Sequence, residues 1–155
     1  MSISTNANIH YFGTQTSLDD SSADVTNGSF SVAGDLVEWT NSDNAPQAIF
    51  VLEVRLVSAG DTGSTIDLFC SPQAIGSSGE DSEDPDANFK HIYLGSFPCD
   101  SGAGLSIQYV TFGVVNLPEV ETSQGYKFFI LNNTGQTIDA PWDLSVTPIT
   151  EGPHG

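Results

Sequence analysis

Basic residues are almost missing from this sequence of 155 amino acids. Three of them, Arg55, Lys90 and Lys127, stand against twenty Asp and Glu residues, which gives a formal net charge of −17 at pH 7. Binding the phosphates of a nucleic acid or the anionic headgroups of a membrane requires a cluster of Lys and Arg. We therefore expect no partner of either kind. The charge suits solubility, a saline environment or a basic partner protein.

Long apolar runs are missing as well. No stretch approaches the roughly 18–20 consecutive apolar residues of a membrane-spanning helix. The first residues, MSISTNANIHYFG, have neither the basic nor the apolar region of a secretory signal. We therefore expect a soluble protein that is made in the cytoplasm.

Cysteine is scarce, with Cys70 and Cys99 as its two examples. Both lie in or beside apolar segments of strand-like composition, and no export signal directs the chain to an oxidising compartment. Buried free thiols are therefore the favoured interpretation, and a disulfide between the two residues is the alternative.

Motifs for catalysis or zinc binding are lacking too. The histidines His10, His91 and His154 are scattered, no G-x-S-x-G elbow occurs, and neither C-x-x-C nor H-x-x-x-H spacing is found. A glycosidase needs a pair of carboxylates, but twenty acids make such a pair impossible to recognise from sequence. We therefore expect a protein without enzymatic activity.

The strongest positive signal is an alternation of apolar and polar residues with a period of two. Between positions 48 and 57, every second residue from Phe50 to Leu56 is apolar, while the opposite face carries Glu53 and Arg55. This pattern is typical of a central β-strand. Segments 64–70 and 105–115 alternate in the same way and predict half-buried strands. In the second of them, one face is formed by Leu105, Ile107 and Tyr109 and the other by Ser106, Gln108 and Val110.

Six further segments have the composition of strands, and Gly- and Asn-rich turns separate them: 8–13, 28–33, 36–40, 90–97, 126–132 and 142–148. No window has a helical stripe. About eight short strands in one chain predict a single all-β domain over residues 1–155, an antiparallel β-sandwich of the jelly-roll type. An immunoglobulin-like sandwich and a closed barrel are the alternatives. Residues 1–8 and 149–155 are expected to be flexible ends.

An acidic run is the first candidate site, at positions 80–86. Its carboxylates offer the hard oxygens that Ca²⁺ binds, although Ser82 and Pro85 interrupt the EF-hand pattern. A solvated loop that keeps neighbouring strand edges from pairing is the favoured interpretation, with calcium as the alternative and no other cofactor expected. The acids are Glu80, Asp81, Glu83, Asp84 and Asp86.

Two tryptophans form the second candidate site. Trp39 and Trp142 could stack against a sugar ring, as aromatic side chains do in many sugar-binding β-sandwiches. Each also lies in a strand-like segment beside an acid, Glu38 or Asp143. A position at the rim of the core, with the indole N–H hydrogen-bonded, is therefore the competing interpretation.

Three longer stretches cover most of the chain: SFSVAGDLVEWTNSDNAPQAIFVLEVRL, DPDANFKHIYLGSFP and SQGYKFFILNNTGQTIDAPWDLSVTPITEGPH. Together they resemble small virion structural proteins of tailed bacteriophages, of the capsid decoration (cement) type. The resemblance implies a β-rich domain docked in many copies on the outer capsid surface, with the major capsid protein and neighbouring copies of itself, in a trimer, as partners. It assigns no site residues. The alternative is a tail or head-fibre module that binds host-surface glycans through Trp39 or Trp142.

Overall fold

The computed structural model describes residues 8–18, 23–31, 38–74, 92–99, 107–118 and 124–153. All regular secondary structure in these ranges is β-strand, as the sequence predicted. The strands are β1 (Asn8–Phe12), β2 (Thr16–Ser17), β3 (Trp39–Thr40), β4 (Gln47–Leu56), β5 (Thr65–Ala74), β6 (Ile92–Pro98), β7 (Ile107–Thr111), β8 (Val115–Asn116), β9 (Gln124–Asn133) and β10 (Ile138–Pro153). Among these residues, no helix has the length and apolar character needed to cross a membrane.

The strands form two antiparallel sheets. Sheet I has the order β1-β10-β4-β7, with β2 paired to β10 and β8 paired to β4, and sheet II has the order β3-β9-β5-β6. Buried side chains of both sheets belong to one hydrophobic cluster. Phe50 of sheet I meets Phe128 of sheet II edge to face, with ring centroids 5.0 Å apart. This arrangement is that of an antiparallel β-sandwich.

Strand β4 is central in sheet I, between β10 and β7, as its alternation predicted. Phe50, Leu52 and Leu56 are completely buried, whereas Arg55 on the opposite face is exposed. Burying a side chain of this size stabilises the fold by about 1.5–3 kcal/mol, so the charged face is the one left outside.

The hairpin between β9 and β10 is organised by the buried amide of Asn132. Its Nδ2 donates to the carbonyl oxygens of Val25 and Gln136, each at 2.7 Å. Its Oδ1 accepts from the main-chain N of Thr134 at 3.0 Å and from the hydroxyl of that residue at 2.7 Å. The turn then passes through Gly135, whose φ of +78° suits glycine. A turn was predicted here, because a Gly- and Asn-rich stretch separates the strand-like segments 126–132 and 142–148.

The structure differs from two predictions about local structure. Residues 149–153, expected to belong to a flexible end, form the last part of β10, which pairs with β1 from Ile149↔Phe12 to Pro153↔Asn8. The remaining residues of the two expected flexible ends, 1–7 and 154–155, lie outside the described residues. The segment 28–33, described as far as residue 31, is not a strand. Val25 bridges to Ile138 of sheet I and Phe30 bridges to Leu131 of sheet II, so the chain crosses between the sheets here and pairs at single residues.

Both cysteines are free and buried, which confirms the favoured interpretation. Burial raises the pKa of Cys70 to about 12 and that of Cys99 to about 11. The thiols therefore behave as small apolar side chains near neutral pH.

Candidate docking surface

Exposed apolar side chains are concentrated at one side of the domain. Among the described residues, eight large apolar side chains are between 41% and 70% exposed. Five of these lie on β6, on β7 or immediately before β8, and we call this group the edge strip. Its members are Ile92, Tyr93, Ile107, Tyr109 and Val114.

The edge strip lies on edge strands of both sheets. Strand β7 is the last strand of sheet I and pairs with β4, while β6 is the last strand of sheet II and pairs with β5. Within the described ranges, the outer side of each strand therefore has no neighbouring strand. An open edge with apolar side chains is a site at which another chain can add its own strand or pack.

Phe112 brings the two edges together. It follows β7, and its ring lies 4.4 Å from that of Phe97 on β6, measured between centroids. Gly95 of β6 makes room for it, because a Cβ at this position would lie 2.7 Å from the Phe112 ring. A shallow groove of about 370 Å³ runs along this contact, lined by residues 92–94 on one side and 112–116 on the other.

Carboxylates flank the edge strip on both sheets. On sheet I, Tyr109 of β7 lies opposite Glu53 of β4. On the other side of β4, Asp143 of β10 also lies opposite Glu53. On sheet II, the Ser96 hydroxyl hydrogen-bonds to the Tyr93 hydroxyl at 2.7 Å and donates to Asp67.

The nearest described cation on sheet I is already paired. Arg55 lies opposite Ile107 but forms an ion pair with Asp139. The exposed apolar side chains on both edge strands thus have carboxylates as neighbours, a combination that suits a partner with apolar and basic side chains.

The structure buries both candidate sugar-binding tryptophans. Trp39 is 7% exposed and stacks on Tyr126, with centroids 5.8 Å apart. Trp142 is 1% exposed, and its indole N–H donates to the Ala23 carbonyl at 3.2 Å. Neither ring has a face open to a sugar in this arrangement. The indole hydrogen bond expected by the competing interpretation is present at Trp142.

The acidic run with Asp81, Glu83, Asp84 and Asp86 lies outside the described residues, as do His91 and His154. His10 is exposed on β1, where its Nδ1 lies 3.7 Å from Glu151 Oε1. Elsewhere in the described ranges, no three His, Cys, Asp or Glu residues are grouped so that they could hold a metal ion.

The edge strip was not predicted from the sequence. Segment 105–115 was expected to form a half-buried strand with Ile107 and Tyr109 on one face, and the structure turns that face outward. Gln108, between them, points inward and is 8% exposed. The sequence carried no local signal for this orientation, because a polar Gln108 between Ile107 and Tyr109 predicts the opposite one.

Comparison of the sequence with protein-family models gives no match, and comparison with curated proteins gives no significant match. The surface chemistry described above is therefore the basis for a functional proposal.

Proposed function

We propose that this chain is a structural protein of a tailed bacteriophage that decorates the outer surface of the icosahedral capsid and braces neighbouring capsid subunits. The observation that carries the proposal is the edge strip, an apolar surface along two sheet edges of a strongly acidic domain. Large exposed apolar patches on soluble proteins mark interaction sites. The resemblance of the sequence to decoration proteins suggests the partner.

In this mechanism, many copies of the chain dock on the capsid, without a catalytic step or a cofactor. Apolar side chains of the strip are buried against the major capsid protein, and carboxylates such as Glu53 and Asp67 favour a basic surface there. Each contact is weak on its own. When copies of the chain contact neighbouring subunits and one another, the many contacts act together and hold the shell.

We also infer the jelly-roll topology within the β-sandwich. Without β2 and β8, which lie off the main path of sheet I, eight strands remain, and in chain order the sheets become 1-8-3-6 and 2-7-4-5. This is the strand order of a double-sheet jelly roll. Viral capsid domains and lectins both use this fold, so the topology is compatible with the proposal but does not select a function.

Mass spectrometry of gradient-purified phage particles tests the proposal. We expect the chain at a ratio within a few-fold of the most abundant shell protein. Total absence from the particles would overturn the virion assignment. A few copies per particle would instead indicate a tail or fibre component.

The alternative function is that of a tail or head-fibre module that binds host-surface glycans. The two tryptophans assigned to glycan binding do not support it. Trp39 and Trp142 are buried in the sandwich and have no free face. The copy number on particles, read together with a glycan array of the wild-type chain, separates the two proposals. Strong glycan binding together with a low copy number on particles would favour the fibre module.

A further inference from the structure

A cleft of about 440 Å³ lies beside β8, at the end of the sandwich where β3 and β9 meet the start of β4. This volume is within the range of about 300–1,000 Å³ that is usual for small-molecule sites. The cleft adjoins the groove of the edge strip at Asn116 and is otherwise separate from it. Its walls are residues 41 and 44–46, residues 116–118, and Tyr126.

The first wall is a turn held in place by Asn41. The Nδ2 of this buried side chain donates to the Ala45 carbonyl at 2.8 Å, and its Oδ1 accepts from the Ala45 main-chain N at 2.9 Å. Between these residues, Asn44 has a φ of +49°, a conformation that asparagine adopts more readily than most residues. The Asn44 side chain is exposed at the rim, without a hydrogen-bond partner in the part of the chain that the structure describes.

The second wall is tied to the core by Tyr126. Its hydroxyl donates to the Pro118 carbonyl at 2.6 Å. Burial raises the pKa of this phenol, so it keeps its proton and the hydrogen bond near neutral pH. On the same wall, Asn116 is exposed and accepts from Gln47 Nε2 at 2.9 Å through its Oδ1. Both walls are therefore fixed before a ligand arrives, which lowers the entropic cost of binding.

The chemistry of the lining is neutral. The described lining residues include no Asp, Glu, Lys, Arg or His, in a chain with twenty acids. Asn44 and Asn116 offer amide groups that both donate and accept hydrogen bonds, as hydroxyl groups require. Pro46, Leu117 and Pro118 add apolar surface between them. Anionic ligands are disfavoured by the overall charge of −17.

We propose that this cleft binds an uncharged saccharide, with the Asn44 and Asn116 amides on its hydroxyl groups and Pro46 and Pro118 against the C–H face of a sugar ring. The proposal is independent of capsid decoration. It also differs from stacking on Trp39 and Trp142, since it uses none of the residues of that platform.

Nuclear magnetic resonance with a panel of neutral oligosaccharides and their sulfated and sialylated counterparts tests the proposal on the full chain. We expect a neutral member of the panel to shift the side-chain amide signals of Asn44 and Asn116. Asn44→Gly should weaken that binding about 3- to 10-fold, the equivalent of one neutral hydrogen bond. Glycine tolerates the positive φ, so the turn is kept. Pro46→Ala should also weaken binding.

The control is Asn133→Ala, an exposed asparagine on β9, seven residues from Tyr126 and near the far end of the strand. This variant should bind as the wild type does. If Asn44→Gly unfolds, Asn44→Asp replaces it, because aspartate tolerates the same backbone conformation and lacks the amide donor.

Four outcomes would overturn the saccharide site: no binding in the panel, a preference for charged sugars, binding unchanged in both cleft variants, or equal loss in the control. Capsid association of Asn44→Gly is measured separately on phage particles. Failure of one proposal is thereby distinguished from failure of the other.

Discussion

Tyr109 lies directly opposite Glu53 across strands β7 and β4, at the exposed margin of sheet I. The tyrosine is 70% exposed, the highest value among the large apolar side chains of the described residues. An aromatic ring beside a carboxylate can bury apolar surface and attract a basic group in the same contact. The pair is therefore the first place to test the docking surface.

Tyr109→Ala should weaken binding to the capsid without unfolding the chain. Truncating an aromatic residue in the centre of an interface typically costs more than about 1–2 kcal/mol, whereas an exposed substitution leaves stability within about 0.5 kcal/mol. Co-sedimentation with undecorated particles measures capsid binding, and thermal unfolding measures the stability of the chain. Phe12→Ala is the matched control, since Phe12 is 65% exposed on β1 at the opposite edge of sheet I. Equal loss in both variants would contradict a specific role of the edge strip.

Glu53→Gln should slow association with the capsid and reduce its dependence on salt. Charges at the margin of an interface act mainly on the association rate, and salt screens them over about 8–10 Å at physiological ionic strength. Association rates measured at several salt concentrations provide the comparison. Glu151→Gln serves as the control, because Glu151 lies on β10 beside His10 and away from the strip. Salt dependence that is equal in wild type and Glu53→Gln would argue against an acidic margin that selects a basic partner.

Two neighbouring strands of sheet I, β4 and β7, differ in how far their structure follows from the sequence. Strand β4 could be predicted together with its buried face, because Glu53 and Arg55 mark the other face as the outer one. Strand β7 has no such marker, so Ile107 and Tyr109 look like core residues until the register with β4 is known. The edge strip could not be predicted at all, because it joins residues of β6 and β7 whose adjacency depends on the packing of Phe112 under β6.

Gly95→Ala should destabilise the domain at the junction of β6 and β7. The added methyl would lie 2.7 Å from the Phe112 ring, which must then move away from Phe97. Overpacking of this kind costs about 1–3 kcal/mol. Gly113→Ala is the control from the same region, since a Cβ there meets no atom within 4 Å. Denaturant unfolding measures the stability of both variants. Equal stability of Gly95→Ala and Gly113→Ala would show that Phe112 can move at no cost.

Asn132→Ala should be among the most destabilising single substitutions in the β9–β10 hairpin. The side chain is completely buried and makes four hydrogen bonds. Its removal leaves the buried main-chain N of Thr134 without this acceptor, and it takes one of two donors from each of the carbonyls of Val25 and Gln136. Each unsatisfied buried group costs about 1–3 kcal/mol. Asn133→Ala, at the exposed neighbouring position, should change the free energy of unfolding far less. A loss below that of Asn133→Ala would contradict the role of Asn132 in this turn.

The buried thiols should make the fold less stable in alkali. Their pKa values rise from 9.0 to about 12 for Cys70 and about 11 for Cys99, so the native state holds protons that the unfolded chain releases. Their stabilising contribution is complete below pH 9 and declines as the pH rises from about 9 toward 11 and 12. In that window, each thiol lowers the free energy of unfolding by about 1.4 kcal/mol per pH unit.

Urea unfolding of wild type and Cys70→Ala at pH 8 and pH 10 measures this effect. Alanine creates a small cavity at both pH values, but it removes one titrating group, so the wild type should lose about 1.4 kcal/mol more than the variant between the two conditions. A Cys99→Ala variant should behave in the same way, because its thiol is shifted in the same direction. Equal losses of unfolding free energy between pH 8 and pH 10, in wild type and both variants, would mean that the cysteines titrate alike in the folded and unfolded chain. Other groups would then cause the loss of stability in alkali.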